Sequence, residues 1–248
     1  MRLFLHQFRS EQLLFWRSRE AAVFVFLFPL MLFLLLATVY SGRYHGHPLA
    51  DYLVAGLLGY GTANTAFGGL AITLVLRREL GMLKRIRATP LPPATYLAAA
   101  LASIIAIFAL QAVVLVVLGR AAYGSELPER PLSLLAALAV GAASFAALGV
   151  AVASLIRSAE GASAVVNVII LPMTFLSGGF GPTRHYPGVL RAIAEALPLK
   201  HLIDAVSGIY LDHESVAAQG WALLVVAAWG VAGAVVALRR FRWEPREG

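Results

Sequence analysis

The sequence predicts an all-α, polytopic membrane protein with six transmembrane helices, an N-terminal interfacial helix and a re-entrant helical hairpin before the last span. Three observations predict it. Of 248 residues, 60% are hydrophobic and only 13% charged, about half the charged share of a soluble domain, and the mean hydropathy is +0.78. Apolar runs of spanning length recur along the whole chain. Lys and Arg gather at the ends of alternate runs instead of spreading evenly.

The formal net charge is +7. In a soluble chain that would suggest nucleic acid. Here the basic residues flank apolar runs, so anionic lipid headgroups explain them better and no nucleic-acid partner is expected. There is no cysteine, which excludes disulfides, thiolate metal sites and cysteine nucleophiles. High Arg and Ala against low Lys suggests a GC-rich bacterial source.

Taken in order, residues 1–20 form the first unit. Phe4, Leu5, Phe8, Phe15 and Trp16 share one helical face, and Arg2, His6, Arg9 and Arg17 share the adjoining one. A basic helix with an aromatic face suits the membrane interface; a simple flank of the first span is the alternative. Ala21–Tyr40 follows as a span containing Pro29. It is longer than a signal-peptide core and lacks a clear cleavage site, so retention is expected. After the turn-rich loop Ser41–Ala50, the second span is Asp51–Leu76. Arg77–Pro93 is a basic loop whose middle, Glu79 to Ala88, reads as a short surface helix that stops at Thr89-Pro90. A soluble partner could push on the bundle there. The later spans are Thr95–Leu118, Leu132–Ile156, Gly161–Gly181 and Trp221–Leu238.

Residues 177–217 read differently. Ser177–Pro182 is glycine-rich and breaks the helix. Val189, Leu190, Ile193 and Leu197 then recur at helical spacing, as do Leu202, Ile203, Val206, Ile209 and Tyr210 beyond Pro198. Two helices, each too short to cross, form an extracytoplasmic re-entrant segment; a plain loop is the alternative. No linker marks a second domain, so 1–248 is a single transmembrane domain. With six spans, one side carries fourteen Lys and Arg, in residues 1–20, 77–93, the turn at Arg157 and the tail from Arg239. The other carries six (Arg43, Arg120, Arg130, Arg184, Arg191, Lys200). The richer side is cytoplasmic and holds both termini.

Candidate chemistry is sparse. The chain has no phosphate-cradling G-x-x-x-x-G-K-[ST] loop and no HExxH helix, so neither a catalytic nor a metal site is expected. Asp212-His213-Glu214 reads as a solvated turn. No ionisable residue lies near a span centre, which argues against proton relays and intramembrane hydrolases. The polar mid-span residues are neutral. Asn64, Asn167 and Thr174, with Phe67 and Phe175 beside them, are candidates for a substrate pathway; helix–helix hydrogen bonding is the alternative. Small residues Gly141, Ser144 and Gly149 favour close helix packing.

Two motifs carry a family resemblance. Glu79-Leu80-Gly81-Met82-Leu83-Lys84-Arg85-Ile86-Arg87-Ala88-Thr89-Pro90 is similar to E-x-G-T-L-x-R-L-x-x-T-P, with Met82 in place of threonine. Leu171-Pro172, Phe175-Leu176-Ser177-Gly178 and Pro182 are similar to L-P-x-x-F-L-S-G-x-x-x-P. In this order they resemble the membrane subunits of type-2 ABC exporters, and the short chain resembles the drug-resistance, daunorubicin-type branch. The resemblance implies a permease of a bacterial inner membrane without its own ATPase site. It implies two ATPase subunits that bind ATP and magnesium, and a second permease, identical or a paralogue. It also makes Glu79, Gly81, Leu83, Lys84, Arg85 and Arg87 the coupling residues. The expected cargo is a hydrophobic or amphipathic drug-like compound; a lipid-linked polysaccharide or another lipid is the alternative. An ion-driven secondary transporter is a further rival.

Overall fold

The computed structural model describes residues 1–40, 42–44, 46–181, 183 and 186–241, apart from the side chains of Ala21 and Arg87. Helix α1 (Arg2–Arg17) is built from strong helix formers and stops at Ser18, whose backbone leaves helical geometry. It packs chiefly along α6 (Pro93–Tyr123). Helix α2 (Arg19–Val39) tolerates Pro29 in its interior. It exposes Val23, Phe24, Leu27, Met31 and Leu35, an apolar face suited to lipid. Arg43–Tyr44 (β1) and His47–Pro48 (β2) then pair as a short antiparallel hairpin. The sequence expectation of an all-α chain with a plain loop here is corrected to a mostly helical one. Two-residue strands are too short to leave an alternating pattern.

Helix α3 (Leu49–Ala63) is almost wholly buried. It continues through a π turn, Asn64–Gly69, into α4 (Leu70–Glu79). The predicted second span is therefore longer than Asp51–Leu76 and is not one regular helix. The π turn fits against α7 (Pro131–Leu155) because Gly149 has no side chain. A Cβ there would meet the Phe67 carbonyl oxygen at 2.7 Å, well inside van der Waals contact. Gly141 and Ser144 keep neighbours equally close: Ser144 lies against Gly230 of α11 (Gly220–Arg240), and α7 and α11 share the most extensive helix contact.

After α4 the chain turns at Leu80-Gly81, where Gly81 adopts a left-handed φ of 67°. Helix α5 (Met82–Arg87) follows. The expected helix from Glu79 to Ala88 is thus split, and Glu79 belongs to α4. Just past the end of α5, Thr89 Oγ1, directly before Pro90, donates to the Ile86 carbonyl at 2.6 Å. Helices α8 (Ala159–Leu176), α9 (Gly188–Ala196) and α10 (Pro198–Tyr210) complete the chain before α11. The two short helices expected between residues 188 and 210 are present. α9 is amphipathic and mostly exposed, whereas α10 is buried against α3, α7 and α11.

Among the described residues, five stretches are long and apolar enough to cross a membrane: Ala22–Val39, Pro93–Tyr123, Pro131–Leu155, Ala159–Leu176 and Gly220–Arg240. Leu49–Glu79 is not among them because the π turn divides it. Arg184 and the basic tail from residue 242, both used in the charge count, lie outside the described residues.

Candidate functional site

Three consecutive residues at the end of α4 reach into different elements. Successive residues on a helix point about 100° apart, so Arg77, Arg78 and Glu79 fan outward. Arg77 points to α1 and α6. Its Nη1 and Nη2 donate to Glu11 Oε1 and Oε2 at 2.7 and 2.6 Å, and Nη1 also donates to the Tyr96 hydroxyl at 2.6 Å. This is the two-pronged geometry that a planar guanidinium offers a carboxylate. Glu11 is held from its own helix by Gln7 Nε2 at 2.7 Å, and Gln12 Nε2 donates to the backbone and hydroxyl of Ser103 on α6, each at 3.0 Å.

Arg78 turns to α7. Only 2% of it is exposed, and its guanidinium donates to the carbonyls of Ala153 at 2.9 Å and Ile156 at 2.5 Å. These carbonyls close α7, where a cation complements the negative helix end. Glu79 turns to α8 and accepts a hydrogen bond from the Ala159 amide. A carboxylate at a helix N-terminus satisfies an otherwise orphan donor and complements the positive end of the dipole. One short stretch therefore ties together α1, α6, the end of α7 and the start of α8.

Beyond Gly81, α5 extends this knot outward. Leu83 is fully buried and Ile86 half-buried, while Lys84 and Arg85 are exposed. Leu80, which precedes the break at Gly81, is exposed. The side chain of Arg87 lies outside the described residues. Glu11, Gln7 and Gln12 were missed by the sequence reading, which weighed only the basic and aromatic residues of the first helix. Their signal is a lone acid inside a basic helix with glutamine four residues before it.

Next to the knot lies a cavity of about 450 Å³ between α1, α2, the π turn, α4, α6 and α8. Its polar lining includes Asn64, Thr65, Ser163 and Asn167, and its apolar walls include Phe24 and Ile107. Asn64 and Asn167, distant in sequence, are thus brought together. Phe67, Thr174 and Phe175 are not. Phe67 is buried toward α7; Thr174 is fully buried and donates to the Ile170 carbonyl at 2.7 Å; Phe175 stacks edge-on with Phe180. The helical spacing from 167 to 174 and 175 carries these residues about two turns along α8, beyond the cavity. Phe24, Ser163 and Asn167 are both lining and exposed, so the cavity opens between α2 and α8.

The described residues thus form a mostly helical membrane protein with an ion-paired knot of helix ends and an exposed short helix beside it. The model of the ABC-2 type transporter family matches residues 2–211. The chain belongs to that family. Among curated proteins, 85 residues are 40% identical to Nodulation protein J of Rhizobium leguminosarum bv. trifolii, covering 33% of this chain and 32% of that protein. A stretch of 74 residues is 35% identical to Nodulation protein J of Rhizobium meliloti (strain 1021), covering 30% and 28%. The match spans about a third of each relative.

Proposed function

We propose that this chain is the permease subunit of an ATP-driven exporter that moves an amphipathic, drug-like compound out of a bacterial cytoplasm. In this reading Leu49–Glu79 crosses the inner membrane with the five other spanning helices, and both termini are cytoplasmic. Helix α1 lies in the interface, and α9 with α10 forms the re-entrant hairpin. Two permeases, identical or paralogous, rest on two ATPase subunits, which bind ATP and magnesium.

The observation that carries this reading is the knot at Arg77-Arg78-Glu79. ATP binding draws two motor subunits together. The exposed cations Lys84 and Arg85 give such a motor a grip on α5, and buried Leu83 keeps α5 seated on the bundle. A push on α5 reaches four helices at once through three neighbouring side chains, as a rigid-body rearrangement requires. The cavity beside the knot has the size and mixed lining of a small-molecule site.

The mouth between α2 and α8 favours a second cargo, a lipid-linked saccharide, whose chain could stay in the bilayer while its head enters. The test is reconstitution with a candidate ABC ATPase partner. Reversing both cations (K84E/R85E) should leave the permease inserted but abolish cargo-stimulated ATP hydrolysis. Wild-type stimulation in that variant, or cargo movement by the permease alone, would overturn the reading. Stimulation by lipid-linked saccharides and not by soluble amphiphiles would select the second cargo.

A further inference from the structure

At the end of the bundle opposite the knot, the connection between α10 and α11 contains Asp212-His213-Glu214, which the sequence suggests is a solvated turn. The structure gives each side chain a partner. Asp212 Oδ1 lies 3.2 Å from His47 Nε2 on β2. Glu214 accepts from Gln219. His213 stands between two carboxylates of the α6–α7 connection: its Nε2 is 3.7 Å from Glu126 Oε2 and its Nδ1 is 3.8 Å from Glu129 Oε2.

Two further features single out His213. Its backbone φ is 55°, a left-handed conformation that side-chain-bearing residues seldom take. Its Nδ1 is shielded from solvent and has no hydrogen-bond partner among the described residues. A neutral imidazole carries one N–H and one bare lone pair. Facing two carboxylates, it must aim that lone pair at one of them. An imidazolium presents an N–H to each. The arrangement therefore fits the charged ring and opposes the neutral one.

We infer that His213 is a pH-operated clasp, closing on Glu126 and Glu129 when protonated and releasing the α10–α11 connection from the α6–α7 connection when neutral. Glu126 is well placed to pass this on, because its carbonyl accepts the Tyr210 hydroxyl at 2.6 Å at the end of buried α10. The charged groups that face this region are few. The hairpin contributes Arg43 and His47, and Arg43 is turned to the Gly46 carbonyl. α3 contributes buried Asp51. α6 contributes Arg120, which donates to the Gly124 and Ser125 carbonyls. The α6–α7 connection adds Arg130, and the α10–α11 connection adds Asp212 and Glu214. The chain's Lys200 is paired with Asp204 at the far end of α10. Among the described residues none of these cations pairs with Glu126 or Glu129, so the imidazolium is their charge partner. Glu126 and Glu129 are largely exposed, so the clasp is shallow and salt weakens it.

The absence of native cysteine allows clean labelling. Spin labels at L127C and A217C, both exposed positions, report the distance between the two connections in lipid nanodiscs. A single narrow distance is expected at about pH 5.5, and a broader, longer distribution at about pH 8. H213N, which tolerates left-handed backbone, should give the broad distribution at both pH values. E126Q/E129Q should do the same with the imidazole intact, and decides the matter if H213N fails to fold. A wild-type distribution that ignores pH, or an unchanged pH response in either variant, would overturn the clasp.

Discussion

Replacing Glu11 by alanine tests the knot directly. The variant strands the Arg77 guanidinium, which loses two charge-assisted hydrogen bonds at 2.7 and 2.6 Å and keeps only the Tyr96 hydroxyl. Both partners are well covered, with side-chain exposures of 8% for Glu11 and 13% for Arg77. Removing one member of a buried pair costs about 3–5 kcal/mol, because the other charge remains without its partner. That cost falls on the docking of α1, which is otherwise held by Gln12 at Ser103 and by apolar contact with α6. Hydrogen exchange of α1 amides in nanodiscs measures it. When opening limits exchange thermodynamically, each 1.4 kcal/mol is tenfold, so E11A should speed α1 exchange by about 10²-fold to several thousand-fold. The double variant E11A/R77A removes both charges and should cost clearly less than the two single variants added together. Unchanged α1 exchange in E11A, or additivity in the double variant, would refute the argument that this pair holds α1 to the bundle.

Three other outcomes follow from the same geometry. R78K replaces a fork that reaches two carbonyls by a single ammonium, and should lower stability by about 1–3 kcal/mol, read as a reduced thermal midpoint in detergent. G149A drives a methyl group into the Phe67 carbonyl and should cost about 1–3 kcal/mol through overpacking, whereas a glycine with open space around it, such as Gly220, should accept alanine without loss. N64L and N167L should each abolish cargo-stimulated ATP hydrolysis in the reconstituted complex, while F175A, outside the cavity, should leave it intact.

The sequence made the elements legible more readily than their junctions. Apolar runs located α2, α6, α7, α8 and α11 because burial in lipid or protein demands hydrophobicity whatever the neighbours are. The spacing of Val189, Leu190 and Ile193, and of Leu202, Ile203 and Val206, located α9 and α10. The π turn was not legible, since one extra residue in an apolar run leaves no mark in composition. The split at Gly81 was missed because Leu80 and Met82 are good helix formers on either side. Within the cavity, Asn64 and Asn167 were found as polar residues in apolar runs. Thr174 carried the same signal but spends its hydroxyl on its own helix. Glu11, Arg77 and Arg78 find their partners through tertiary contacts across 66 to 78 residues, which no local pattern encodes.

A one-residue insertion in the middle of Leu49–Glu79 acts as a phase offset for everything below it. Deleting one residue from Asn64–Gly69 would remove the bulge and leave its flanks in phase, but relaxing the same residues into plain α-helix would swing Arg77, Arg78 and Glu79 by about 100° around the axis. Each would then face its neighbour's former target. The alignment of the inner rim is thus indexed by a defect lying well over a full helical turn away.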